Sequence, residues 1–103
     1  MKYTIHDQQF KTKAAIKKYC SDIVGTRDHK YQLSEEASAF FFALLKHHPD
    51  WKVKTQRRSD DELELWVDWC YNAQYPSWGL MIYHKESGLR LDDISWHTAI
   101  AAL

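Results

Sequence analysis

The chain has 103 residues, 45% of them apolar and 15% aromatic, and it carries 14 basic and 14 acidic residues. This length fits one domain, residues 1–103, and aromatic residues are numerous enough to form its core without disulfide bonds or a structural metal. No apolar run approaches the roughly 18 residues that a membrane span needs, so we expect no membrane partner. The N-terminus lacks the pattern of a signal peptide, and the spacing of Cys20 and Cys70 indicates no disulfide framework. We therefore expect a cytoplasmic protein.

The first segment predicts a strand and then a helix. Residues 2–9 are short and mixed, which suits a strand. Thr12 is a good N-cap, apolar residues then recur at spacings of three and four, and Gly25 supplies a stop. We therefore expect a helix that follows Thr12 and ends at Val24.

A second helix follows a polar segment, 26–33, which we predict to be a loop. Ser34 is the expected N-cap of this helix, and acidic residues follow it in the first turn. We expect the helix to end at His48, because Pro49 disfavours helical geometry at the residue before it. The charged, aperiodic stretch 51–61 predicts a mobile loop.

The C-terminal half has the pattern of an antiparallel sheet. Apolar and polar residues alternate over 62–71, which predicts a strand with one solvated face. A turn at 72–77 leads to a second strand, 78–84, and the apolar parity of a third strand switches in a way that implies a bulge near Asp92 or Asp93. This order predicts an α+β fold with two helices packed on one face of an antiparallel sheet.

Charge is distributed unevenly along the chain. Twelve of the 14 basic residues lie at or before Arg58, whereas eight of the 14 acidic residues follow it. The basic half either presents a face to a polyanion or is neutralised within the fold. On the first alternative, cations bind the phosphates of RNA or another single-stranded nucleic acid, and tryptophan stacks on a base. The residues of this hypothesis are Lys11, Lys13, Lys17, Lys18, Trp51, Lys52, Lys54, Arg57 and Arg58.

Signals for catalysis or a cofactor are weak. The six histidines lack metal-ligand spacing, and the three glycines form no phosphate-binding loop. Asp93, Ser95 and His97 alternate, but neighbours on one strand face point in parallel and do not converge as a hydrolytic triad must. We expect no enzyme activity, no metal and no cofactor.

Several motifs together resemble one known family. They are the helix end 41–49 with its terminal His-Pro, then Lys52 and Lys54, the pair Ser87-Gly88, and the segment 93–96. This combination is similar to the DCL-like domain family, named for "defective chloroplasts and leaves". The resemblance implies a curved antiparallel sheet with helices on one face, as in cystatin-like and nuclear-transport-factor-like rolls.

The resemblance also implies a biological context. Family members occur in plastid ribosomal RNA processing and on plant RNA polymerase subunits, which suggests RNA-linked biology. His48, Asp93 and Ser95 match family positions of unknown role, whereas the glycine-bearing family segment is replaced here by 53–58. Glycine lets a backbone approach a ligand closely, so this device is expected to be missing.

Two other function classes stay open. A protein-interaction or self-association module would use an exposed aromatic on the sheet, with Trp66 as the candidate hot-spot residue. A pocket between the helices and the sheet would bind a small ligand.

Overall fold

Helices and antiparallel strands share this chain, as a computed structural model shows for residues 3–25, 28–70 and 77–103. The elements in chain order are β1 Tyr3–Ile5, β2 Gln8–Phe10, α1 Lys13–Val24, β3 Tyr31–Gln32, α2 Glu35–Leu45, α3 Trp51–Lys54, a 3-10 turn Asp60–Glu62, β4 Leu63–Cys70, β5 Ser77–His84, β6 Arg90–Ile94 and α4 Trp96–Ala101. The predicted α+β class is confirmed, whereas the finer cystatin-like roll stays a prediction.

The strands form two antiparallel sheets. β1 and β2 make a hairpin of their own, and the main sheet has the order β3-β4-β5-β6. β4 and β5 pair along their full length, from Leu63 opposite His84 to Cys70 opposite Ser77. β6 pairs with only part of β5. Its last residue, Ile94, lies opposite Leu80, so the first three residues of β5 have no strand partner on that side among the described residues.

One face of the main sheet packs against the helices and the hairpin. Alternate residues of β4 point to this face, as the period of the predicted strand requires, and they join apolar residues of α1, α2 and α4 in one hydrophobic core. The fully buried side chains include Ile16, Cys20, Phe41, Leu44, Leu45, Leu65, Val67, Ile82 and Ile100.

The predicted helix starts are confirmed by their caps. The Thr12 hydroxyl accepts a hydrogen bond from the backbone N–H of Ala15, and the Ser34 hydroxyl accepts one from Ala37, both at 3.1 Å. Each cap satisfies a donor that the first helical turn cannot satisfy internally. Gly25 ends α1 with a φ of 63°, a conformation that costs glycine little.

The expected end of the second helix was wrong by three residues. α2 ends at Leu45, and the chain then tightens, with the N–H of His47 bonded to Leu44 and that of His48 bonded to Leu45. Such bonds across three residues are a common way to finish a helix. They turn His48 inward, where it is 7% exposed.

Three predicted irregular or extended segments differ from the structure. Residues 3–10 form a hairpin instead of one strand, because the chain reverses at His6, where φ is 55°. The predicted loop 26–33 contains β3, with residues 26 and 27 outside the described residues. The predicted mobile loop 51–61 contains α3 and the start of the 3-10 turn.

The C-terminal end also differs from expectation. The bulge lies at Leu91, next to the predicted position, since Ile82 pairs with Asp92 and Tyr83 with Arg90. After Ile94 the chain forms α4 instead of continuing as a strand, so three helices, α1, α2 and α4, share the core where two were expected. The predicted turn 72–77 falls outside the described residues except for Ser77.

The sheet face opposite the helices is not simply solvated. Asp68 and Cys70, which the alternation assigned to a solvated face, are 6% and 5% exposed. Cys70 lies in a small second cluster with Met81, Tyr83 and the half-buried Trp66, and Asp68 accepts a hydrogen bond from Tyr83 of that cluster. The correction has a physical reason, because long side chains from neighbouring strands cover this face.

Candidate functional sites

A concave basic surface lies at α3, and we call it the α3 cavity. It has a volume of about 450 Å³. Its walls combine four basic side chains with one indole and one hydroxyl, contributed by Lys46, Trp51, Lys52, Thr55, Arg57 and Arg58. Four of the residues predicted to bind nucleic acid, Trp51, Lys52, Arg57 and Arg58, therefore line one cavity.

The cavity owes its shape to a short helix that ends in an unusual turn. The Thr55 hydroxyl donates a 2.8 Å hydrogen bond to the carbonyl of Trp51 and fixes the last turn of α3. Gln56 and Arg57 then adopt positive φ values of 56° and 60°, and the N–H of Arg57 reaches back to the carbonyl of Lys52 at 2.9 Å. This left-handed pair reverses the chain and brings Arg57 and Arg58 beside Lys52.

Contacts within the cavity leave much of its positive charge unneutralised. Lys46 pairs with Asp60 at 2.7 Å. Arg58 Nη1 lies 3.4 Å from Nε2 of His84, and Arg58 Nε is buried without a hydrogen-bond partner among the described residues. Lys52 and Arg57 are exposed. An anion at this surface would meet several cations, of which Lys46 is already paired with Asp60.

Trp51 is only half-buried. One edge of its ring packs against Phe42, with ring centroids 6.1 Å apart. A tryptophan held in this way presents aromatic surface at a fixed position, which is the requirement of a stacking platform.

The other predicted nucleic-acid residues lie elsewhere. Lys54 points from α3 toward β6, where its Nζ donates to the carbonyl of Asp93 at 2.9 Å. On α1, Lys13 donates to the carbonyl of Ala101, and Lys18 pairs with Asp22 at 3.2 Å. Lys11 and Lys17 are exposed. The helix α1 packs mainly on α4 and β2, whereas α3 packs on β6.

A second group of polar side chains converges between α3 and β6. Lys54 Nζ lies 3.4 Å from a carboxylate oxygen of Asp92 and 3.7 Å from one of Asp93. His48 lies close enough that the charges of Lys54 and Asp92 affect it, and its Nδ1 accepts a 3.0 Å hydrogen bond from the N–H of Asp50. Two of the three family-motif positions, His48 and Asp93, therefore share Lys54 as a charged neighbour.

The surroundings shift the protonation of these groups in opposite directions. Burial, assisted by the charge of Lys54, lowers the pKa of His48 and favours the neutral imidazole. Burial, assisted by a hydrogen bond with the Asp92 carboxyl, raises the pKa of Asp93, and the charge of Lys54 only partly offsets this. Perturbed groups of this kind concentrate at functional sites, although structural networks also contain them.

Asp93 also lines a second cavity, which we call the β5-edge cavity. Its volume is about 310 Å³, and it lies beside the part of β5 that β6 leaves unpaired. Ser95 and His97 line it too, so the alternating trio does meet at one cavity. However, Ser95 is the N-cap of α4, where its hydroxyl accepts from the N–H of Thr98, and the His97 ring stacks on Trp96. The trio is therefore not the single strand face that its spacing predicted.

A buried carboxylate on the outer sheet face escaped sequence reasoning. Asp68 accepts a hydrogen bond from the Tyr83 hydroxyl and a 2.7 Å hydrogen bond from the N–H of Trp69. Arg90 and Lys30 approach the same carboxylate at 3.5 and 3.9 Å. Burial alone would raise the pKa of Asp68, but these hydrogen bonds and positive charges outweigh burial, and the net shift is downward.

Trp66 belongs to the same outer face. Its ring packs against Tyr83 at 5.7 Å, and Lys30 Nζ lies over it at 5.2 Å from the ring centroid. The indole N–H is buried without a hydrogen-bond partner among the described residues. The ring is therefore partly covered within the chain itself.

Comparisons with known proteins give no relative, since no family model, no curated protein and no solved structure matches this chain. Within the described residues, no helix has both the length and the apolar character needed to cross a bilayer.

Proposed function

We propose that this protein is a small non-enzymatic binding module that holds single-stranded nucleic acid, RNA in particular, in the α3 cavity. The observation that carries the proposal is the gathering of Lys52, Arg57, Arg58 and Trp51 around one concave surface. Lysine and arginine neutralise phosphates and release counterions, and a fixed indole stacks on any base. The resemblance to the DCL-like family supports RNA as the class of nucleic acid.

The lysines of α1 have a secondary place in this proposal. Lys11, Lys13, Lys17 and Lys18 do not line the α3 cavity, so they would serve only as outer contacts to a longer strand. Lys54 is directed at Asp92 and Asp93 and would contact no phosphate.

Two adjacent residues provide a test variant and a matched control for RNA binding. Arg57 and Gln56 are adjacent residues with nearly equal positive φ values, and glycine accepts this conformation without strain. Arg57→Gly removes a cation and keeps the turn, whereas Gln56→Gly makes the same backbone change and keeps the charge.

Binding is measured by fluorescence anisotropy with a labelled 12-nucleotide single-stranded RNA over a series of salt concentrations. We expect Arg57→Gly to weaken binding roughly threefold or more and to reduce the slope of log K against log salt by about 0.7, the value for one lost single-strand phosphate contact. Gln56→Gly should match the parent chain. The proposal fails if the parent does not bind at low salt, or if both variants bind as tightly as the parent.

The location of binding is tested separately by NMR. Amide shifts on titration with the same RNA should concentrate at residues 51–58, and a Lys17→Ala, Lys18→Ala double variant should lose less affinity than Arg57→Gly. Shifts confined to α1 would contradict the α3 cavity as the binding surface.

An interaction with protein through the outer sheet face is the alternative. The observation that favours it is the position of Trp66, an aromatic residue that is only half-buried on this face. Sedimentation at two protein concentrations tests self-association, and a monomer at both concentrations would discount it.

A further inference from the structure

The β5-edge cavity arises from a mismatch in strand length. β6 leaves the sheet at Ile94, opposite Leu80, and the chain turns into α4 at Ser95. Residues Ser77–Gly79 of β5 continue past this point and form one wall, and the start of α4 forms the other. The space between the two walls is a consequence of the fold and lies on the side of β6, apart from the α3 cavity.

The walls of the cavity are mostly apolar. Trp78, Leu80, Ile94 and Trp96 contribute apolar surface, and the thiol of Cys70 closes the space behind Gly79, where a Cβ atom would lie 3.4 Å from the sulfur. The volume, about 310 Å³, is at the lower end of the range for small-molecule sites. A ligand of a few heavy atoms fits such a space.

The charged group at the cavity is Asp93, and its negative charge is poorly balanced. Within the described ranges, Asp92 and Asp93 reach salt-bridge distance of one cation, Lys54, at 3.4 and 3.7 Å. These distances exceed the roughly 2.7–2.9 Å of a strong charge-assisted hydrogen bond. Lys54 makes its shorter contact, 2.9 Å, with the Asp93 carbonyl. Two carboxylates thus share one loosely placed ammonium, and the Asp93 side chain is only 19% exposed.

We propose that the β5-edge cavity binds a small organic cation, a primary ammonium or guanidinium group carried on a short apolar chain. The Asp93 carboxylate receives the charged group, and Trp78 with the aliphatic walls receives the chain. An anion of the same size is repelled, and a neutral analogue gains only the apolar contacts.

The pKa of Asp93 agrees with this geometry. Burial and the hydrogen bond with the Asp92 carboxyl raise it, which is the direction expected of a carboxylate whose negative charge is incompletely compensated. The titratable and charged groups that face Asp93 are Lys54 from α3, Asp92 from the same strand, and Cys70 and His97 at the cavity. Cation binding is therefore expected to weaken as the pH falls through the range in which Asp93 takes up a proton.

The test uses n-butylammonium and agmatine as probes, with n-butanol and butyrate as neutral and anionic isosteres. In ¹⁵N–¹H NMR titrations of the full chain, both cations should shift the signals of Trp78, Gly79 and Ser95, and the isosteres should bind at least tenfold more weakly. Equal shifts with n-butanol, or no shift with either cation at about 50-fold excess over the protein, would overturn the proposal.

Asp92 supplies a matched control. Both carboxylates lie on β6 and contact Lys54, but only Asp93 lines the cavity. Asp93→Asn should weaken binding of n-butylammonium at least tenfold, and Asp92→Asn should change it less than threefold. Equal losses in both variants would contradict Asp93 as the group that binds the cation. If Asp93→Asn does not fold, the comparison of n-butylammonium with its neutral and anionic isosteres on the parent chain still tests the proposal. The outcome is independent of RNA binding, because the reporting signals lie at 77–97 and not at 51–58.

Discussion

His48 precedes Pro49 in the motif that resembles the DCL-like family, and in the structure its imidazole is buried. Burial and the charge of Lys54 lower its pKa, so the folded chain favours the neutral ring. Above a pH of about 6.5 the ring is neutral in the folded and unfolded chains alike and contributes no pH dependence. Below that pH the unfolded chain binds a proton more readily than the folded chain, so the free energy of unfolding decreases as the pH falls.

We expect His48→Asn to reduce this acid sensitivity. The side-chain oxygen of asparagine can take the place of Nδ1 and accept the hydrogen bond from the N–H of Asp50. Asparagine does not titrate in this pH range. Urea unfolding at pH 7.5 and 5.5 should show a smaller loss for the variant, with the difference bounded by about 1.4 kcal/mol per unit of pH. An equal loss in parent and variant would show that other groups carry the effect.

Asp68 provides a second prediction for a single residue. Its lowered pKa means that its stabilising contribution is present at neutral pH and is lost as the pH falls through the folded-state pKa. Asp68→Asn should lower the free energy of unfolding at pH 7 by about 2–4 kcal/mol, because Arg90 and Lys30 lose a buried partner. Glu64→Gln on the same strand is the control, since Glu64 is less buried, and a loss as large as that of Asp68→Asn would contradict the argument.

Composition and spacing predicted part of the candidate site. The cluster of Trp51, Lys52, Arg57 and Arg58 could be proposed because they are close in sequence. The different direction of Lys54 could not be predicted, because direction depends on α3, and a helix of four residues is too short to leave a periodic pattern. The network around Asp68 depends on a side-chain hydrogen bond between residues 15 apart on neighbouring strands, which alternation alone does not reveal.

Among the elements, α3 and the turn that follows it depend on two left-handed residues. Gln56 has a φ of 56°, a region that polar unbranched residues enter at some cost and β-branched residues enter rarely. We expect Gln56→Val to lower the free energy of unfolding by about 1–2 kcal/mol and Gln56→Gly to leave it unchanged or slightly higher. Urea unfolding measures both, and equal stability of the two variants would mean that the turn adapts to the side chain.

The helices α1 and α2 were predictable because each begins with a capping hydroxyl and presents an apolar stripe. The helix α4 was not, since six residues give less than two turns, and Ile94 and Trp96 have the spacing of strand residues. Its start is fixed by the Ser95 cap and by the burial of Trp96 against Phe41, a contact distant in sequence.

Across the whole molecule, the two oppositely charged halves meet at specific pairs. Lys46 with Asp60, Lys30 with Asp68, and Lys54 with Asp92 and Asp93 join the basic half to the acidic half. Neutralisation within the fold is therefore partial, because these pairs neutralise some cations, whereas Lys52 and Arg57 are exposed at the α3 cavity.

Stability of the whole chain should depend on the core far more than on these pairs. Phe41 is completely buried between Phe40 and Trp96, and Phe41→Ala should lower the free energy of unfolding by about 3–5 kcal/mol through the cavity it creates. Lys46→Ala removes an exposed ion pair and should cost less than about 1 kcal/mol. Urea unfolding of the two variants checks the contrast, and a larger effect from Lys46→Ala would contradict it.

The two outer strands of the main sheet, β3 and β6, differ from the inner pair in a way that bears on self-assembly. β3 has two residues, and β6 carries charge at three of its five positions. At β3, too few backbone groups are available to pair with an added strand. At β6, the charged side chains and the local bulge disfavour pairing with a second chain. The borders formed by β3 and β6 are therefore poor templates for fibre growth, although the inner strands are rich in tryptophan and aliphatic residues.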